Sequence, residues 1–261
     1  MRIATWNVNS LKARMDRVPE WLEYARPDVL CLQETKLSDA AFPYMAFQAL
    51  GYEPAHHGEG QWNGVALLSR RGLDDVVTGF ADGGGPDQGA RIITARCGGT
   101  LVSSVYVPNG RSVGSDHYLY KLAWLRRLRA HLEALAAPSS PVAVCGDFNI
   151  APDDRDVWDP AAFVGSTHVT AEERDALAEL EDWGLVDAFR SLWGPAGLYT
   201  YWDYRAGDFH EHRGMRIDLL LVSRPLAARL RWALVDRNAR KGKSPSDHAP
   251  VWAEFGADDH R

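Results

Sequence analysis

A chain of 261 residues can bury roughly 70 to 75% of its unfolded surface, so it needs no disulfide scaffold; its formal net charge of −6 gives no overall pull toward a polyanion. The three cysteines, Cys31, Cys97 and Cys145, are widely spaced with no CxxC pair, the pattern of reduced core residues in a cytoplasmic protein. The N-terminus lacks the apolar core of a signal peptide and no run approaches the ~20 apolar residues of a membrane span, so a soluble protein with no membrane partner is expected.

From the N-terminus, short runs rich in Val, Ile and Leu recur: RIATWNV (2–8), VLCLQE (29–34), GVALLSR (64–70), RIITARC (91–97), LVSSVYV (101–107), PVAVCGDF (141–148), IDLLLVS (217–223) and VWAEF (251–255). Bounded by turn residues, they read as strands, several buried on both faces. Helical patterns lie between some of them. MDRVPEWLEYA (15–25) places Val18, Trp21 and Leu22 on one side, and DHYLYKLAWLRRLRAHLEALAA (116–137) places Leu119, Leu122, Leu125, Leu128 and Leu132 on one face. TAEERDALAELEDWG (170–184) opens on a Thr170 to Glu173 capping box and ends at Gly184. ADGGGPDQG (81–89) reads as an internal loop, and no linker divides the chain. The expectation is one α/β domain over residues 1–261 with one or two packed sheets.

Several runs end on polar residues that do not suit a core. Asn7 and Asn9 close the first, Glu34 follows the second, and Asp147 and Asn149 close VAVCGDFN. Asp218 opens another run, and adjacent Asp247 and His248 precede the last. Singly, each also suits a turn or a loop; Gly146-Asp147 reads equally well as a turn with Asn149 as its cap. Together they offer carboxylate and amide oxygens with no thiolate nearby, the donor set of a hard divalent cation. A histidine beside an aspartate adds an acid–base or phosphate-contacting group. Residues 205–243 hold ten Arg or Lys against four Asp or Glu, a local basic balance suited to phosphate.

The blocks TWNVNSLKAR, PDVLCLQETK, NGVALLSR, SVYVPNG, VAVCGDFNIAP, YWDYR, RIDLLLVS and SDHAPVWAEF, in this order across essentially the whole chain, resemble the exonuclease III family of abasic-site endonucleases. That family lies within the endonuclease/exonuclease/phosphatase superfamily. The resemblance implies a deoxyribonuclease I-like fold: a four-layered α/β sandwich of two packed mixed β-sheets flanked by helices, with the site at one edge. It implies Mg2+ as cofactor, with Mn2+ as a substitute, held chiefly by Glu34 with Asn7 and Asp247 in support and Asp147, Asn149 and His248 around it. Asp147 then orients or deprotonates the attacking water, Asn149 donates beside it, Tyr106 is the active-site tyrosine, and Asp218 orients His248. Alternation along the strand is expected to put 147 and 149 on one side and Phe148 inward. Asn109 and Arg111 fall where the family contacts DNA. Tyr201, Met215 and Ile217 fall around an apolar pocket framed by Arg205, Arg213 and Arg216 as phosphate-binding cations.

The implied activity is incision of double-stranded DNA 5′ to abasic sites and 3′-to-5′ exonuclease or 3′-end trimming at nicks and blocked 3′ ends, by a monomer. Two other readings use the same fold: a phosphatase acting on a small phosphorylated substrate, and a catalytically inactive nucleic-acid-binding regulator.

Overall fold

The computed structural model describes residues 1–257. Strand β1 (Arg2–Asn7) leads through helix α1 (Val18–Ala25) to β2 (Val29–Gln33), which pairs with β1 in parallel. After the short helix α2 (Tyr44–Ala49), β3 (Glu53–His57) and β4 (Val65–Ser69) extend that sheet antiparallel from β2. The next segment repeats the plan. Strands β5 (Asp74–Thr78), β6 (Ile92–Cys97) and β7 (Thr100–Tyr106) form an antiparallel meander, and helix α3 (Asp116–Leu135) returns the chain to β8 (Val142–Asp147), parallel to β7. Helix α4 (Ala171–Trp183), β9 (Leu185–Asp187), β10 (Asp218–Ser223), helix α5 (Arg224–Ala227), β11 (Leu230–Val235) and β12 (Val251–Phe255) complete the order.

The strands form two mixed six-stranded sheets, β11-β12-β1-β2-β4-β3 and β5-β6-β7-β8-β10-β9. Among the described residues each sheet has one parallel pair, β1/β2 and β7/β8, and each pair is joined by a helical crossover, as parallel neighbours require. Alternation then sorts the side chains into layers. Val29 and Cys31 of β2 and Ala143 and Cys145 of β8 share the core between the sheets, with Ile3, Val65, Leu67, Ile93, Val102 and Leu220. Leu30 and Leu32 face α1 and α2 with Trp21, Leu22 and Phe47. Val142 and Val144 face α3 and α4 with Trp124, Leu128, Leu177 and Leu180. The order helix, sheet, sheet, helix is the expected four-layered sandwich, and all three cysteines are buried and free.

Helix α4 carries the expected capping box and ends at Gly184. Helix α3 departs from its reading: Leu119 is exposed, and the buried face runs through Tyr118, Lys121, Trp124, Leu125, Leu128, His131 and Leu132. Leu125, Leu128 and Leu132 are on the buried face as expected and Leu122 at its margin, while the positions that a count of leucines passes over are Tyr118, Trp124 and two fully buried polar residues, Lys121 and His131. Lys121 has Glu173 of α4 at 2.5 Å, and His131 binds Thr94 at 2.9 Å.

Candidate active site

Parallel pairing aligns strand ends, so the two crossovers bring four C-terminal ends to one edge of the sandwich. Asn7 ends β1 opposite Gln33, and Glu34 follows β2 directly. In the facing sheet Tyr106, the last residue of β7, is abreast of Asp147, the last of β8, which is abreast of Asp218, the first of antiparallel β10. His248 enters just before β12, its main-chain oxygen accepting from Trp6 Nε1 at 3.1 Å.

Asp147 and Asp218 are almost wholly buried, at 2% and 1% exposure, which a carboxylate tolerates only with partners. The partners are here. Asn7 Nδ2 donates to Glu34 Oε1 and to Asp147 Oδ2, each at 2.9 Å, and Asn149 N donates to Asp147 Oδ1 at 2.9 Å. His248 Nδ1 donates to Asp218 Oδ2 at 2.8 Å, which leaves Nε2 facing Asp147 Oδ2 at 3.8 Å. Lys36 Nζ lies 3.0 Å from Glu34 Oε2.

These contacts separate the protonation states. Burial opposes charge on His248, but Asp218, Asp147 and Asp247 outweigh it and raise the imidazolium to about 10. Burial, with Asp218 and Glu34 adding to it, raises Asp147 to about 7 against His248 and Asn7. Burial also pushes Glu34 up, yet Lys36, Asn7 and His248 hold it below its ordinary value. Tyr106 is driven well above its ordinary value by burial, Glu34 and Asp147, so its hydroxyl keeps its proton.

Glu34, Asp147 and His248 each bring a potential ligand atom within 4.8 Å of the others. Two carboxylates suit a hard cation; a His248 that is charged and donating to Asp218 does not offer it a lone pair. The acidic pair therefore fits a divalent metal ion. The other expected ligands stand differently. Asn7 presents its amide nitrogen to the carboxylates while its oxygen accepts from Asn9 N at 3.0 Å. Asp247 is half-buried, outside this group of three, and accepts from Asn9 Nδ2 at 3.1 Å.

Asn149 is not placed by strand alternation. β8 ends at Asp147, and Asn149 has a left-handed φ of 51°, with its Nδ2 donating to Val107 O at 2.9 Å and its Oδ1 accepting from Asn109 at 3.2 Å. Phe148 is fully buried in the core, as expected. Asn109 and Arg111 sit exposed on the loop after β7, Arg111 with φ 54° and its N–H bound to Asn109 Oδ1.

Tyr201, Met215 and Ile217 do come together, in a small apolar cluster with Ala151 and Val157. Tyr201 pairs through its main chain with both Met215 and His248, its ring 4.9 Å from the imidazole. Met215 and Ile217 are 8% and 2% exposed, so they form a wall. Arg216, between them, does not frame it as a phosphate-binding cation. It is buried, its guanidinium held by Asp156 at 2.7 Å and Asp187 at 2.7 Å. Arg205 and Arg213 are taken up by Asp203 and Asp208.

One contributor escaped the sequence reading. Lys121 Nζ, fully buried, donates to Asn149 O at 2.6 Å, Asn109 O at 3.2 Å and Glu173 Oε1 at 2.5 Å, tying helices α3 and α4 to both polar residues of the site. Its signal was a lone lysine on the helical face shared by Tyr118, Trp124 and Leu125.

The Endonuclease/Exonuclease/phosphatase family model matches residues 4–248. Exodeoxyribonuclease III of Haemophilus influenzae is 36% identical, over 98% of this chain and 100% of that protein. Among solved structures, an AP endonuclease from Archaeoglobus fulgidus is similar with a TM-score of 0.94 and 36% identity, over 98% of this chain and 100% of that one. A 3′-5′ exonuclease from Neisseria meningitidis has a TM-score of 0.94 and 39% identity, with the same coverage. With the expected sandwich, the carboxylates gathered at its edge and a match over nearly the whole length, the chain belongs to the Endonuclease/Exonuclease/phosphatase family.

Proposed function

We propose that this chain is a Mg2+-dependent DNA-repair phosphodiesterase that incises duplexes 5′ to abasic sites and removes or trims nucleotides from 3′ ends. The observation that carries this reading is Asp147 placed between a charged His248–Asp218 pair and Glu34. Relatives named as exodeoxyribonuclease III and AP endonuclease support the choice of DNA.

In-line hydrolysis needs an oriented water and cover for charge on the phosphoryl oxygens. Asp147, the carboxylate facing His248, holds the water and takes its proton. His248, fixed through Nδ1 by Asp218, turns Nε2–H toward a non-bridging oxygen, and the Tyr106 hydroxyl donates beside it. Asn7 bridges Glu34 and Asp147 by donating to both, which favours the ionised form of each. Glu34, with Asp147 beside it, would hold Mg2+, which when bound would supply Lewis-acid stabilisation of the charge that develops on the phosphate. Asn149 acts chiefly through the loop it builds, its side chain being engaged with Val107 and Asn109. Arg111 and Asn109 meet the DNA backbone, and the Tyr201, Met215 and Ile217 wall receives a deoxyribose without a base, which flips at lower cost than an intact nucleotide. The protein acts as a cytoplasmic monomer.

The test is incubation with Mg2+ or EDTA and a duplex holding one tetrahydrofuran abasic analogue, alongside matched intact and nicked duplexes. Mg2+-dependent cleavage at the analogue or loss of 3′ nucleotides is expected. Absence of both, with release of phosphate from a small phosphoester instead, would refute the reading.

A further inference from the structure

Glu34 sits in a backbone turn that its own sequence does not favour. It has φ 50° and Lys36 has φ 53°, a left-handed conformation at two non-glycine residues on either side of Thr35. Main-chain bonds hold the turn: Thr35 N to Gly64 O at 3.1 Å, Lys36 N to Asn63 O at 3.0 Å and Ser10 N to Glu34 O at 2.7 Å. Its centre is gripped from a different strand. Thr35 Oγ1 lies 2.8 Å from His56 Nε2, and His56 Nδ1 lies 2.8 Å from Asp39 Oδ1, which also accepts from Gly58 N at 2.8 Å.

A hydroxyl, an imidazole and a carboxylate in series resemble a hydrolytic triad, but this one has no access to substrate. Thr35 is 0% exposed and the His56 side chain is buried. The site is built around it. A Cβ on Gly64 would lie 2.1 Å from Thr35 Oγ1, a Cβ on Gly58 would lie 2.2 Å from His56 Cε1, and the imidazole stacks on Phe42 at 4.2 Å. Asp39 can only accept, so Nδ1 carries the proton and Nε2 accepts from the Thr35 hydroxyl. Burial outweighs the pull of Asp39 and lowers the ring to about 4, so it stays neutral and keeps this direction.

We propose that Thr35, His56 and Asp39 form a positioning chain that locks the turn carrying Glu34 and so sets its carboxylate for the divalent cation. The chain touches no reacting atom; it acts through the backbone next to Glu34, as partners behind a metal ligand do. This rests on the proposed metal role of Glu34.

The experiment is titration of the purified protein with Mn2+ alone, without DNA, reading free Mn2+ by electron paramagnetic resonance, with far-UV circular dichroism and a thermal melt on each variant. Thr35→Val removes the hydroxyl at nearly constant volume, and its expected effect is about tenfold weaker Mn2+ binding, the scale of losses behind metal ligands. Thr35→Ser, which keeps the hydroxyl, is expected within about twofold of the unaltered protein on the same scale. A folded Thr35→Val that binds Mn2+ as the unaltered protein does, whatever its melting temperature, overturns the proposal. Should Thr35→Val not fold, Asp39→Ala decides: Asp39 is exposed, so the fold tolerates its loss, and unchanged Mn2+ affinity there overturns the proposal equally. Glu34→Gln separates the two levels. If it binds Mn2+ like the unaltered protein, the metal assignment of Glu34 fails and this chain with it; if only Glu34→Gln weakens binding, the positioning role alone fails.

Discussion

Replacing Lys121 by methionine tests whether the buried ion pair beneath the site holds it together. The ammonium and the Glu173 carboxylate are both 0% exposed and 2.5 Å apart, and Lys121 also donates to the main-chain oxygens of Asn149 and Asn109. Breaking a buried pair by removing one partner costs about 3 to 5 kcal/mol, because the other charge is left in a low dielectric. Glu173 would keep donors from Thr167, His168 and Thr170, which places the cost near the lower end, about 3 kcal/mol. For a chain of this length that is a fall in Tm of about 6 to 12 °C. The double substitution Lys121→Met, Glu173→Leu removes both charges and is expected to recover most of the loss. The pair also predicts an acid limb. Burial pushes the Glu173 carboxyl up, but Lys121, Thr167 and His168 hold it below its ordinary 4.5. Its stabilisation is therefore complete above that value and is lost as pH falls through the lower folded one, so Glu173→Gln should flatten the loss of stability below about pH 4.5. Thermal melts across pH measure both effects. A Lys121→Met protein melting within about 2 °C of the unaltered one, which is under 1 kcal/mol, would refute the reasoning.

Glu34→Gln keeps the shape of the side chain and loses the charge a hard cation needs, so it should raise the Mg2+ concentration for half-maximal cleavage while duplex binding in EDTA is retained; an unchanged Mg2+ titration contradicts it. Asp147→Asn and His248→Asn should each lower turnover by several powers of ten, with circular dichroism unchanged. Combined, they should cost far less than the product of the two, whereas multiplicative losses would show that the groups work independently. Met215→Ala opens the wall beside Tyr201 and Ile217 and should narrow the ratio of abasic to intact internal cleavage without altering Mg2+ affinity; a folded variant with an unaltered ratio removes Met215 from selection.

What could be read from the sequence follows from burial on both faces. The eight apolar runs became the inner strands of the two sheets. The strands that escaped, β3, β11, β5 and β9, are the four edges. β5, Asp-Asp-Val-Val-Thr, is exposed along almost its whole length, so no apolar alternation marks it. Site residues were legible where they ended a buried run, as Asp147 and Glu34 do. Buried charges were not: Arg216 looked like a surface cation because its partner Asp156 lies 60 residues away, and Lys121 is 52 residues from Glu173. Asn149 was assigned to the right neighbourhood by the wrong geometry, since a left-handed residue breaks the two-residue period on which the inference rested.

On the proposed function, the charges at the edge explain why a metal ion and DNA would share one site. Four carboxylates, Glu34, Asp147, Asp218 and Asp247, converge there with two cations, Lys36 and His248. A phosphodiester brought to this edge meets an excess of negative charge, and unit charges 4 Å apart repel by about 4 kcal/mol at an effective dielectric of 20. Neither cation relieves it, because Lys36 is engaged by Glu34 and Asn9 Oδ1, and His248 by Asp218. Two added positive charges would cancel the excess. On the proposed function, a divalent cation bound there would ease the seating of the scissile phosphate at this edge as well as its chemistry. It also accounts for the asymmetry of the cluster, in which Asp218 is reserved to keep His248 charged while Glu34, just past the end of β2 with its side chain 17% exposed, is left open on the side from which a cation and a phosphate would arrive.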